Sequence, residues 1–153
     1  MVRLITTVAL LAAAPVAAQP ADAEHVALLN TVDAALAAIS AQDDVALAAL
    51  LLPGAVFYRE SIGDDGKPRT SVIPLPAMLE RMKGPKRGLS EVRTGAPTIL
   101  VRTGLAQVWT PYSFDIAGKR SHCGVDSISL LKVDGAWRIA SFGWTAEPEG
   151  CTK

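Results

Sequence analysis

Residues 121–145 read SHCGVDSISLLKVDGAWRIASFGWT, and this stretch decides the architecture of the chain. Two runs rich in Val, Ile, Ser and aromatic residues flank Asp134-Gly135, and an Asp-Gly pair between such runs is a strong signal for a tight β-hairpin. Gly118 marks an earlier reversal, which adds residues 105–115 as a third long strand ahead of 121–132 and 136–145. Residues 91–95 and 98–103 extend the sheet further. The second half of the chain therefore reads as one antiparallel meander.

Turn arithmetic then suggests which side chains meet. Reflection about Asp134-Gly135 places Asp126 opposite Gly143, Ile128 opposite Ser141 and Leu130 opposite Ile139. Reflection about Ala117-Gly118 places Asp126 opposite Trp109 and His122 opposite Ser113. Directly opposed residues share a face. One face is thus expected to carry Gln107, Trp109, Asp126, Ile128, Ser141 and Gly143, and the other Val108, Tyr112, Val125, Phe142 and Trp144. A bulge at either turn exchanges the two sets. Both faces are apolar, unlike a sheet with one side in water. One is expected to pack on helices and the other on a second copy, giving a homodimer through the sheet.

The first half is helical. Val26, Leu29, Val32, Leu36 and Ile39 recur at three or four residues, an amphipathic helix of roughly 18 residues from about residue 24. Asp43 or Asp44 caps a second helix through Val45, Leu47, Leu50 and Leu51 that stops near Pro53-Gly54. Residues 55–60 read as a strand, Asp64-Asp65-Gly66 as a turn, and 69–73 as the returning strand. Pro76 suits the first turn of a third helix with Met78, Leu79 and Met82 on its apolar side, closed by Gly84-Pro85. Helices followed by a meander make an α+β pattern.

The chain has 153 residues, 15 Lys+Arg against 15 Asp+Glu, two His, two Cys and 50% apolar residues. That length suits one domain with a real core. Zero formal charge argues against a dedicated nucleic-acid binder, since Lys83, Lys86, Arg87 and Arg93 form only a local basic cluster. Part of the apolar excess lies at the start, where Arg3 precedes a run from Leu4 to Ala14, Pro15 and the small-residue site Val16-Ala17-Ala18. This describes a secretory signal peptide over residues 1–18, followed by a leader over 19–23 and a single domain over 24–153. The run is about half of the roughly 20 residues a membrane-crossing helix needs, so no membrane association is expected after cleavage. Periplasmic or secreted location makes a Cys123–Cys151 disulfide the default, tying the C-terminal tail to the sheet. His25, His122, Cys123 and Cys151 lack the close spacing of a zinc site, so no metal is expected.

The ordered set of two helices, Leu50-Leu51-Leu52-Pro53-Gly54-Ala55-Val56-Phe57-Tyr58, a hairpin, a third helix and a meander closing on Asp134-Gly135-Ala136-Trp137-Arg138-Ile139 resembles the nuclear transport factor 2-like superfamily. It is most similar to small secreted bacterial members and the SnoaL-like cyclase branch. The resemblance covers roughly residues 24 to 147 and rests on the order of elements, with no single decisive motif. It implies a cone-shaped fold, three helices packed on a curved antiparallel sheet, with a pocket at the open end. It also favours a homodimer. Function is left broad, because members include enzymes, ligand binders and adaptors.

Phosphate-binding loops, metal-binding histidine pairs and a nucleophile elbow are missing, so no cofactor is expected. Asp126 is the one carboxylate expected within an apolar strand, where desolvation raises its pKa and suits it to acid-base work. The resemblance implies the same, since cofactor-free isomerases and cyclases of the superfamily use pocket carboxylates; a neutral pocket Asp in ketosteroid isomerase is a known worked example. A carboxyl that merely accepts hydrogen bonds from Trp109, Ser127 or backbone explains Asp126 equally. His122 is either a second acid-base group or a strand-end residue at the pocket rim near Glu147. Trp137 reads as core, and Arg59-Glu60 as a surface ion pair. Two functions follow. The first is an exported domain binding a small apolar molecule or a partner protein, with Trp109, Gln107, Asp126 and Ser141 on the pocket. The second is a cofactor-free lyase, isomerase or cyclase with Asp126 as proton carrier, assisted by His122 or Tyr112. The scarcity of titratable groups favours the first.

Overall fold

The computed structural model describes residues 21–149 and Cys151. The proposed signal peptide and its cleavage site after Ala18 lie outside the described residues. The elements in order are α1 (Ala21–Ala41), α2 (Asp44–Leu50), β1 (Leu51–Ile62), β2 (Pro68–Pro74), α3 (Leu75–Met82), β3 (Leu89–Arg93), β4 (Thr98–Arg102), β5 (Leu105–Ile116), β6 (Lys119–Val133) and β7 (Ala136–Ala146). No described helix is long and apolar enough to cross a membrane.

Local chemistry sets the boundaries. α1 begins at Ala21, so the expected leader over 19–23 already turns helical there. It ends where Gln42 adopts a left-handed φ of 50°. The Gln42 and Asp43 amides then donate to the Ile39 and Ala38 carbonyls, a paired closure that satisfies the last turn. The Asp43 carboxylate accepts from the Ala46 amide at 2.9 Å and caps α2. The buried stripe of α1 is Leu28, Val32, Ala35, Leu36 and Ile39. Val26, expected in that stripe, is exposed, because the alanines on all sides leave the helix free to choose the face that seats its longest buried side chains. The chain becomes extended at Leu51, before Pro53-Gly54, and that pair forms an irregularity inside β1. Pro76 stands in the first turn of α3 as its fixed φ and missing donor favour.

The sheet runs β2-β1-β7-β6-β5-β3, with β4 also paired to β5. All pairs are antiparallel except β1 with β7, which are parallel. That departure from a pure meander follows from the chain returning to β1 only after all the intervening elements, a crossover of the kind parallel pairing requires. The curved sheet wraps its concave face around the helices in a cone. Phe57, Val108, Ile128, Leu130, Ile139 and Phe142 from the sheet are fully buried on that face.

The register agrees with turn arithmetic near each tip and departs from it further out. Leu130 lies opposite Ile139, as expected, but a bulge at Ala140 moves Asp126 opposite Trp144 instead of Gly143. A second bulge at Ser121 moves Asp126 opposite Thr110 instead of Trp109, and His122 opposite Phe114 instead of Ser113. Each extra residue shifts every later side chain to the other face relative to its partner strand. Asp126 therefore shares the concave face with Val108, Tyr112, Phe142 and Trp144, all expected on the other face, while Val125 of that set lies on the convex side.

Candidate functional site

A cavity of about 190 Å³ opens between α1, α3 and the wide end of the sheet. Its apolar wall includes Phe57, Met78, Met82, Phe114, Phe142 and Trp144. Its polar wall consists of Gln42, Arg59, Arg81, Arg87, Glu91 and His122. Cross-strand rows bring these together. Glu91 on β3 lies opposite Phe114 on β5, and Phe114 lies opposite His122 on β6. The next rows hold Tyr112 beside Gly124, and then Thr110, Asp126, Trp144 and Arg59 across four strands.

Asp126 is 0% exposed, and neither carboxyl oxygen has a hydrogen-bond partner among the described residues. It is not part of the cavity wall; it sits between Thr110 and Trp144, two rows from Glu91 with the Tyr112 row between them. Burial pushes its pKa up to about 9, with the Glu91 charge adding to the effect. Glu91 is itself buried, and desolvation raises it to about 8. Both carboxyls are therefore held neutral near pH 7, where an exposed acid would be ionised. The Glu91 amide donates to Ser40 Oγ at 2.8 Å, which fixes β3 against α1.

His122 stacks on Phe114 with ring centroids 4.9 Å apart and meets Tyr112 edge-on at 5.8 Å. Half-burial lowers its pKa, and the Arg59 charge lowers it further, so a neutral imidazole faces the cavity. Tyr112 is buried and its hydroxyl donates to the Thr145 carbonyl at 2.7 Å. Burial, then the Asp126 and Glu91 charges, raise its pKa and keep the phenol protonated. Gly124 permits this approach of β7, since a Cβ there would lie 2.3 Å from the Thr145 carbonyl oxygen.

Of the residues expected on the pocket, His122 lines it, whereas Trp109, Gln107 and Ser141 do not. The two bulges put those three on the convex face. Trp109 is 52% exposed there. Gln107 donates to Ser127 Oγ at 2.8 Å and accepts from Ser129 Oγ at 2.7 Å. Arg59 and Glu60 do not form the expected ion pair, because adjacent strand residues point to opposite faces. Glu60 instead accepts from the Thr70 hydroxyl.

Glu91 has no signal in the sequence. Leu89-Ser90-Glu91-Val92-Arg93 invites burial of Val92, yet Val92 is 48% exposed and Glu91 is inside. The expected disulfide is present between Cys123 and Cys151, with Cα atoms 5.6 Å apart. Cys123 pairs with Glu147 instead of Ala146, again one residue beyond the arithmetic. Among the described residues no group of three or more His, Cys, Asp or Glu side chains gathers as a metal site.

No family model matches the sequence, and no curated protein matches it. Solved structures do. The β subunit of a putative aromatic-ring-hydroxylating dioxygenase from Novosphingobium aromaticivorans superposes with a TM-score of 0.70 at 11% identity, over 88% of this chain and 95% of that one. A protein of unknown function from Mycobacterium tuberculosis gives 0.68 at 18% identity, over 89% and 83%. A nuclear transport factor 2-like protein of unknown function from Shewanella baltica gives 0.61 at 14% identity, over 86% and 100%. At these identities the likeness speaks for the fold, and the curved sheet, three helices and strand order agree with it: this chain has the nuclear transport factor 2-like fold.

Proposed function

We propose that this protein is exported and binds a small apolar molecule in the cavity between α1, α3 and the concave face of the sheet. The apolar wall carries the reading, because a pocket lined by aromatic and Met side chains with a few convergent polar groups is the usual form of a small-molecule site. Titration with 1-octanol followed by amide NMR tests it. Saturable shifts are expected around Phe57, Phe114 and Trp144, and Met78→Trp, which fills the cavity, should abolish them while the protein stays folded. No shifts at millimolar octanol would contradict the reading.

Export after removal of residues 1–18, leaving one domain over 24–153, is supported by the Cys123–Cys151 disulfide, which persists in oxidising compartments. Protein recovered from periplasm or medium should have a mass that begins at Gln19. A homodimer through the convex face is supported by the exposed aromatic rings of Trp109 and Tyr58 beside the small residues Ser127 and Gly143. Sedimentation should give a dimer that Trp109→Glu converts to monomer; monomer alone at micromolar concentration would sink this proposal.

One observation favours a second reading, the unpartnered carboxyl of Asp126 beside Glu91. Cofactor-free proton transfer is the chemistry such a pair suits. Because Glu91 and not Asp126 lines the cavity, Glu91 would touch the substrate and Asp126 would be the second proton site behind it, its affinity raised by burial and by the Glu91 charge, with His122 at the rim. Tyr112 lies in the row between the two carboxyls, with its hydroxyl taken by the Thr145 carbonyl. Deuterium exchange into 2-octanone should then fall at least about tenfold in both Glu91→Gln and Asp126→Asn. Exchange unchanged in both variants would exclude this chemistry.

A further inference from the structure

Arg59, Arg81 and Arg87 come from β1, α3 and the connection between α3 and β3, yet all three line the one cavity. Arg69, Lys83, Arg93, Arg120 and Lys132 each hold a carboxylate partner, and among the described residues none of the three cavity arginines does. The acids nearest in sequence are engaged elsewhere. Glu80 takes Lys83 at 3.0 Å, and Glu60 takes the Thr70 hydroxyl. Glu91, the one acid in the wall, is held neutral by burial near pH 7.

The arrangement is also fixed in place. The Arg87 amide donates to Gln42 Oε1 at 2.6 Å, and Gln42 Nε2 donates to the Pro85 carbonyl at 3.3 Å. Lys86 Nζ reaches the Ala41 and Gln42 carbonyls at 2.7 Å. The connection carrying Arg87 is thus tied to the end of α1 before any ligand arrives, which reduces the ordering cost of binding. Three like charges around one opening repel one another, and an anion relieves that repulsion.

We propose that the cavity takes an apolar anion, with its hydrocarbon part among Phe57, Phe114 and Phe142 and its anionic oxygens among the Arg59, Arg81 and Arg87 guanidiniums. This rests on the cavity being a ligand site and names the class of ligand. The guanidinium fork matches carboxylate and phosphate oxygens alike, so the shared chemistry is the anionic head. A volume of about 190 Å³, below the roughly 300–1,000 Å³ of drug-sized sites, limits the body to a medium acyl chain or one aromatic ring.

Calorimetric titration of the full chain with octanoate, 1-octanol and octylamine near pH 7 tests the charge requirement at constant chain length. Octanoate should bind about tenfold or more tighter than octanol, and octylamine weakest. In Arg81→Gln/Arg87→Gln the octanoate advantage should shrink about tenfold while octanol binding is retained. Octyl phosphate in place of octanoate shows which head the arginines prefer, and either preference supports the inference. Octanol binding as tightly as octanoate would overturn the anion requirement and leave the apolar cavity standing. No binding of any probe would overturn both readings. Equal losses of octanoate and octanol in the double variant would mean that the arginines shape the cavity without reading charge, and would overturn the inference.

Discussion

The two ends of the β6–β7 hairpin are built to different rules. Near the tip Leu130, Ile139 and Trp137 are buried among apolar neighbours, and pairing follows the reflection about Asp134-Gly135. At the open end the pairing is one residue out of step. The same face there carries Asp126, Tyr112, His122 and, from β3, Glu91. The bulge at Ala140 is the boundary between these regions, and the one at Ser121 lies at the far end of the mouth beside the β5–β6 turn. Beyond Ala140 the β7 partners of β6 change by one residue, so that Phe142 and Trp144 join the face of Asp126, a placement of bulges common in sheets that carry sites. The tip is apolar packing alone, and the titratable groups are gathered at the mouth.

The difference can be broken at either end. Leu130→Ala removes a fully buried side chain at the tip, and should cost about 2–5 kcal/mol in urea unfolding. At the mouth, removing the disulfide with Cys123→Ser/Cys151→Ser should cost about 2–4 kcal/mol, because the cross-link closes a loop of 28 residues in the unfolded chain. A cost near zero would place the tail outside the cooperative unit.

Acid-base behaviour separates the ends next. In the unfolded chain Asp126 and Glu91 ionise near pH 4, whereas burial raises both in the fold. Between those values folding takes up protons, so stability is greatest in mild acid and falls as pH rises through neutrality. Each group contributes a slope of up to about 1.4 kcal/mol per pH unit. Asp126→Asn should flatten the profile and raise stability at about pH 8 relative to the unmodified protein. An equally steep profile in that variant would contradict the assignment. The smallest effect belongs to Tyr112→Phe, which loses the bond to the Thr145 carbonyl and should cost about 1 kcal/mol.

How much of this was legible beforehand follows the same divide. Asp-Gly at the tip, the Asp43 cap and Pro76 are local signals, and the elements they bound appear within a few residues of where the sequence puts them. The disulfide followed from two cysteines and an export signal, and its formation needs no exact register. The site depended on register across two turns, and neither Ser121 nor Ala140 announces a bulge. Trp109, Gln107 and Ser141 were consequently assigned inward and face outward. Asp126 is buried, as its place in an apolar strand suggests, but Thr110 and Trp144 stand opposite it where the reflections put Trp109 and Gly143. Glu91 was invisible because its strand inverts the usual alternation, burying the acid and exposing Val92. The parallel pairing of β1 with β7 was equally hidden, since it joins segments separated by most of the chain.

The central claim is that Asp126, in phase with Ile128 and Leu130 along β6, is buried on the concave face that also carries Glu91, and that burial keeps both carboxyls neutral at pH 7. Carbon-detected NMR titration of the Asp and Glu side-chain carboxyls reads this directly. Asp126 and Glu91 should titrate well above neutrality, near 9 and 8, and Glu91→Gln should lower the pKa of Asp126. Ordinary values near 4 for both would contradict the account, placing Asp126 on a solvated face and leaving the cavity with no buried acid beside it.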